Sequence, residues 1–294
     1  MKKFFALIIL ISVLLVIFTD FSSNQNCQKK PIYAKLPLKE DQGENYNFIV
    51  AGHIYGSHQK AQQGRLSPSE NIIKNLEYIK SLNPKFFVSL GDSYFLPQDK
   101  YIKPFINQVI KQLKIPFIIA PGNHELGRDW QNYCQNFGKF YYDFTYKSSM
   151  FLIINTGHED SAKIDAKQLK FIKNSIQEFN KNNNLKRLFI FSHKYIFAIE
   201  DKDMNKIAKY RFNGQYYDQY QNINYQQKLQ PILEATKKPI YFFAGDLKEN
   251  STFYHQKDNI TFIATHIYDQ ANDQVIQVNI NKGKVIINAI DLTK

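Results

Sequence analysis

The chain has 294 residues, enough for one large domain with a sizeable core. Its 22% charged content excludes a disordered chain, and two cysteines exclude both a disulfide framework and a zinc site built on Cys pairs. A net charge of +12 favours anionic partners such as phosphates, phosphosugars or lipid headgroups, although a Lys- and Asn-rich background produces the same excess without function; scattered lysines with no Arg-rich helix argue against nucleic acid.

Residues 1–22 open with Lys2-Lys3 and an unbroken apolar run, Phe4 to Phe18. This is a signal peptide or a membrane anchor: long for a cleaved signal, short for a span of roughly 20 residues. Either one exports the remainder, so the expected location is periplasmic, secreted or membrane-anchored facing outward. Residues 23–45 are polar, carry Pro31 and Pro37, and are expected to form a linker. Cys27 lacks the small apolar neighbours of a lipoprotein site, and one Cys27–Cys134 bridge is allowed in an oxidising compartment. Residues 46–294 are expected to form one domain.

Within it, Asn47 to Ala51 predicts a first strand, ending at Gly52-His53. Ser67-Pro68-Ser69-Glu70 is a helix start, followed by Ile72, Leu76, Ile79 and Leu82 at helical spacing. Phe86 to Leu90 predicts a strand running into Gly91-Asp92, and Ile102 to Leu113 a second helix. Phe117 to Ala120 predicts the strand before Pro121-Gly122-Asn123-His124-Glu125. Two strands, 140–146 and 150–155, precede a helix capped by Asp165. Leu188 to Phe191 is a strand ending at Ser192-His193, and residues 194–221 are expected to be a long Tyr-rich loop, a functional feature in a compact domain. A helix around 229–233, kinked at Pro231, leads to the strand 240–243 and Gly245-Asp246. The chain closes with strands 251–256, 260–265, 274–280 and 284–290, the last two joined by a Lys282-Gly283 turn. Strands alternating with helices and then a run of strands predict an α/β sandwich of two sheets.

Five apolar strands thus end in side chains able to bind a metal: His53, Asp92, Asn123 with His124, His193, and Asp246. Each alone is an ordinary turn residue or a core histidine. Sites in open α/β sheets form beyond the carboxyl ends of strands, so five such ends together point to a shared centre.

Gly91-Asp92, Gly122-Asn123-His124-Glu125 and Ser192-His193, in that order, resemble the calcineurin-like metallophosphoesterases, relatives of the purple acid phosphatases. The resemblance implies a four-layer αββα fold, two mixed sheets flanked by helices. It implies one or two metal ions (Mn, Fe or Zn), with Asp92 bridging, Asn123 and His193 as ligands, and His124 aiding the leaving group. The two outer motifs depart from the family: His53 stands for Asp, Asp246 for His, and Tyr55 and Lys248 replace the two remaining ligand histidines. One metal position therefore keeps Asp92, Asn123, His193 and Asp246, while the other keeps His53 and Asp92. Tyr55 is expected as a hydrogen-bonding pocket wall, and Lys248 as a phosphate contact or a solvated turn lysine. The implied function is an exported phosphoesterase using metal-activated hydroxide, acting on a small-molecule or envelope phosphoester. The rival is a non-catalytic phospho-ligand binding protein for an envelope glycan or lipid on the same fold.

Overall fold

The computed structural model describes residues 27, 32–39, 42–127, 130–157, 162–200, 204, 224–247 and 252–294. Residues 1–22, expected to direct export, lie outside them. Among the described residues no helix is long and apolar enough to cross a membrane.

Among the described residues, eleven strands form two mixed sheets. In the first, β11 (Lys284–Asp291), β10 (Gln274–Asn281), β1 (Tyr46–Ala51), β2 (Phe87–Ser89) and β3 (Phe117–Ile119) lie in that order, with β1, β2 and β3 parallel. In the second the order is β4 (Tyr142–Tyr146), β5 (Ser149–Ile153), β6 (Arg187–Ser192), β7 (Ile240–Ala244), β9 (Ile260–Ala264) and β8 (Phe253–Lys257). Here β5, β6, β7 and β9 are parallel, and antiparallel strands close both edges.

Strands buried on both faces read as continuous apolar runs, which is why β6 and β7 carry almost no polar residue. Phe48, Val50, Val88, Ile118, Phe151, Phe189, Phe191 and Phe243 fill the space between the sheets. The outer face of the first sheet is covered by α1 (His58–Gln62), α2 (Glu70–Lys74), α3 (Leu76–Ser81), α4 (Asp99–Phe105), α5 (Lys111–Leu113) and α6 (Trp130–Phe137). The second sheet carries α7 (Ala166–Lys181), α8 (Ile196–Glu200) and α9 (Gln230–Glu234). The result is the expected four-layer αββα arrangement.

Local departures have local causes. The helix expected over 70–82 divides at Asn75, whose side-chain amide donates to the carbonyls of Asn71 and Leu292. The helix expected over 102–113 passes through a π-helical turn at Ile106–Ile110, just after Pro104. The run expected to kink at Pro231 changes its hydrogen-bond register there: a π-helical turn at Tyr225–Leu229 passes directly into α9, with Pro231 in the first α-helical turn, where its missing N–H is tolerated. Residues 196–200 are not loop but α8, and Tyr195, Ile196 and Phe197 are buried against the outer face of the second sheet. The rest of that expected loop, including Tyr210 and Arg211, lies outside the described residues.

Residues 32–39, expected within a linker, pack on the domain. Cys27 is disulfide-bonded to Cys134 of α6, the amides of Ile32 and Tyr33 donate to the Asn136 carbonyl, and Phe117 of β3 donates to the Tyr33 carbonyl.

Candidate metal centre

Three of the expected site residues end their strands in the same unusual way. His53 after β1, Asp92 after β2 and Asp246 after β7 all adopt left-handed backbone, with φ of 60°, 54° and 57°. Non-glycine residues seldom occupy this region, and Asp and His tolerate it better than most. The turn bends each chain away at the rim. Gly91 shares the left-handed conformation, at φ 84°, and a Cβ there would lie 2.6 Å from His193 Nδ1. A Cβ on Gly122 would lie 2.8 Å from the Asp92 amide, so glycine lets the β2 and β3 loops touch.

Asp92, His193 and Asp246 are buried, and each offers a ligand atom within 4.8 Å of the others. His193 Nδ1 faces the Leu90 carbonyl at 2.8 Å, which assigns its proton to Nδ1. The Nε2 lone pair then looks at Asn123 Oδ1, 3.2 Å away, and Asp92 Oδ1, 3.5 Å away. Electron-pair donors facing one another suit a shared cation, and a carbonyl-fixed imidazole is the usual outer-shell support for a metal ligand. Burial, then Lys194 against the pull of Asp92, leaves the His193 pKa lowered, which keeps the ring neutral. A carboxylate pair, an amide oxygen and an imidazole fit a divalent ion such as Mn, Fe or Zn.

His53 stands on the other side of Asp92. Its Nδ1 faces the Ile267 carbonyl at 3.3 Å, and Nε2 is 3.5 Å from Asp92 Oδ2. It falls outside the 4.8 Å triad. His124 is fixed similarly, Nδ1 on the Phe95 carbonyl, with Nε2 3.8 Å from Asp92 Oδ2 and 3.5 Å from the Tyr55 hydroxyl. Tyr55 is buried, its ring against His53 and its hydroxyl also 3.1 Å from His58 Nδ1. Lys248 lies outside the described residues. Glu125 acts on backbone rather than on the His124 ring: its carboxylate accepts from the amides of Asp92 (2.8 Å), Ser93 (2.6 Å) and Gly122 (2.8 Å).

Two residues at the rim escaped the sequence analysis. Lys194, assigned there to a covering loop, is buried, and its ammonium is 2.6 Å from Asp246 Oδ2. Burial raises the Asp246 pKa, but Lys194 and His193 together outweigh it and hold the carboxyl below its ordinary value. The second is His266, two residues past β9 and stacked 3.9 Å from the His53 ring. The available signal was the apolar run of β9 followed by Thr265-His266, a sixth strand ending in a ligand type, without the preceding glycine that marked four others.

A two-sheet αββα sandwich with carboxylate, amide and imidazole donors gathered at one rim defines a metallohydrolase type of site. The model of the calcineurin-like phosphoesterase family matches residues 53–266, and the chain belongs to that family. A serine/threonine-protein phosphatase CPPED1 of Rattus norvegicus is 32% identical over 94 residues, which span 28% of this chain and 30% of that protein. Among solved structures, the purple acid phosphatase PPD1 of yellow lupin (Lupinus luteus) seeds superposes with a TM-score of 0.57 at 12% identity, over 86% of this chain and 52% of the lupin chain. A dimetal phosphatase of Danio rerio gives 0.56 at 9% identity, over 85% and 97% respectively. At these identities the superpositions establish the fold alone, and the sequence match covers less than a third of the rat protein.

Proposed function

We propose that the chain is an exported, metal-dependent phosphoesterase that hydrolyses a phosphate mono- or diester. The observation that carries this reading is the convergence of Asp92, His193 and Asp246 within 4.8 Å, with Asn123 Oδ1 beside His193 Nε2. A divalent ion held there polarises a phosphoryl oxygen and lowers the pKa of water to roughly 7.

The chain's own groups supply the rest. Asp92 presents one oxygen toward His193 and the other toward His53 and His124. His124, its Nδ1–H held by the Phe95 carbonyl, turns Nε2 to the rim, where its protonated form delivers a proton to the leaving oxygen. That role is worth about 10²–10⁴ in rate. The Tyr55 hydroxyl lies 3.5 Å from that same Nε2 and helps orient it, and Lys194 adds a fixed positive charge beside Asp246 that complements a phosphate. The favoured substrate is a small-molecule or envelope phosphoester. Export is supported by the apolar Phe4–Phe18 segment and by the Cys27–Cys134 bridge, which belongs in an oxidising compartment.

The rival, a phospho-ligand binding protein, draws on one observation: Asp246 is already neutralised by Lys194. Chelator-stripped protein reloaded with Mn²⁺ and given an aryl phosphate separates the two. Metal-dependent release is expected, falling about 10²–10⁴-fold in His124→Ala and to background in Asp92→Asn. Phosphate binding without turnover under every metal supports the rival, and full activity in both variants removes the residue assignment.

A further inference from the structure

We propose that His266 is a ligand of a second divalent cation, held with His53 and Asp92 on the β1–β9 side of the rim. The inference rests on the metal-centre reading above and adds a ligand that the family motifs do not contain.

His266 is 3% exposed, and neither ring nitrogen has a hydrogen-bond partner. Buried polar atoms are nearly always paired, so two open nitrogens on one buried ring need a reason. Packing does not supply it. The ring is sandwiched between His53 at 3.9 Å and Tyr268 at 3.7 Å, an aromatic slot that Phe would fill with no polar atom to desolvate.

The neighbours supply one. His53 Nδ1 is committed to the Ile267 carbonyl, so its Nε2 lone pair faces Asp92 Oδ2 at 3.5 Å. The opposite oxygen, Oδ1, faces His193 at the same distance. Asp92 therefore turns one oxygen to each side, the disposition of a carboxylate bridging two ions. Two imidazoles and a carboxylate select a borderline ion such as Mn, Fe, Co or Zn over Mg or Ca.

The backbone that carries His266 is fixed: the Thr265 amide donates to the Ala244 carbonyl and its hydroxyl to the Gln274 carbonyl. Its ring is held by stacking between His53 and Tyr268 and by no hydrogen bond. Among the described residues only Asp92, His193 and Asp246 already lie within 4.8 Å of one another, so capture of the second ion requires the His266 ring to turn within that stack toward His53 and Asp92.

The test uses the full chain, stripped with chelator and titrated with Mn²⁺ or Zn²⁺. Two ions per chain are expected, with a spin-coupled Mn pair because Asp92 bridges them. In His266→Phe, which keeps the stacking, and in His266→Gln, one ion should remain and the coupled signal vanish. The second binding step should weaken beyond the roughly 10–100-fold that loss of an outer-shell partner costs. In the unaltered chain labelled with ¹⁵N-histidine, the second Zn²⁺ equivalent should shift the His266 ring nitrogens. One ion in the unaltered chain, two coupled ions in both variants, or unmoved His266 nitrogens at saturating Zn²⁺ would each overturn the proposal. A chain that binds two ions through His266 but hydrolyses no ester keeps this inference and removes the function.

Discussion

Glu125 joins three backbone amides from two loops, those of Asp92, Ser93 and Gly122, and is fully buried in doing so. Charge-assisted bonds of this kind are the strong ones, and they hold the left-handed turn at Asp92 against the Asn123 loop. Glu125→Gln puts an NH₂ group against an amide N–H, so a loss of about 2–4 kcal/mol is expected. Chemical denaturation measures it, and an unchanged midpoint would show that the loops hold themselves. The ligand types at the rim were legible because Gly-Asp, Gly-His and Gly-Asn-His sit directly after apolar runs. Lys194 and His266 were not, since their roles depend on Asp246 and His53, partners 52 and 213 positions away along the chain. Local pattern carries no information on such pairs.

At the scale of elements, β3 is the edge of the first sheet, and its outer side is partly covered by residues 32–39. An uncovered edge strand pairs with other chains, so this cover has a structural use. The Cys27–Cys134 bridge pins it over a separation of 107 residues, and also fixes α6, the helix that follows the Asn123–His124 loop. Removing such a cross-link costs about 2–4 kcal/mol. Cys27→Ser should lower the thermal midpoint and speed hydrogen exchange in β3 and α6; exchange unchanged there would mean the bridge holds nothing in place. Strand positions were largely readable because buried parallel strands leave long apolar runs, as in β6 and β7. The covering of β3 was not: the stretch 23–45 is polar on average, and the apolar side chains within it that pack on the domain, Tyr33, Ala34, Leu36 and Leu38, follow neither a helical nor a strand period.

For the whole molecule, three buried histidines and the half-buried His124 at one rim set the response to pH. Burial lowers the pKa of His53, His124, His193 and His266, so each binds a proton more readily when unfolded. Stability therefore falls as pH drops below the unfolded value near 6.5, with a ceiling of about 1.4 kcal/mol per imidazole between pH 7.5 and 5.5. Asp92 and Glu125, whose pKa values burial raises, work in the opposite direction over that window. In Asp92→Asn, which removes the larger resolved opposing group, metal-free protein should unfold at lower denaturant at pH 5.5 than at 7.5. Equal midpoints would contradict neutral buried rings. Asp92, raised by burial to about 7, takes up a proton in this interval and a bound metal needs it ionised, so metal affinity should weaken from pH 7.5 to 5.5.

The most direct test of the centre itself is anomalous scattering from crystals soaked in Mn²⁺. The expected result is a peak in ligating contact with His193 Nε2 and with oxygens of Asp92, Asn123 and Asp246, with Lys194 displaced from Asp246 or sharing it. A strong peak elsewhere, or saturating Mn²⁺ with no density among those four side chains, would contradict a metal centre at this rim.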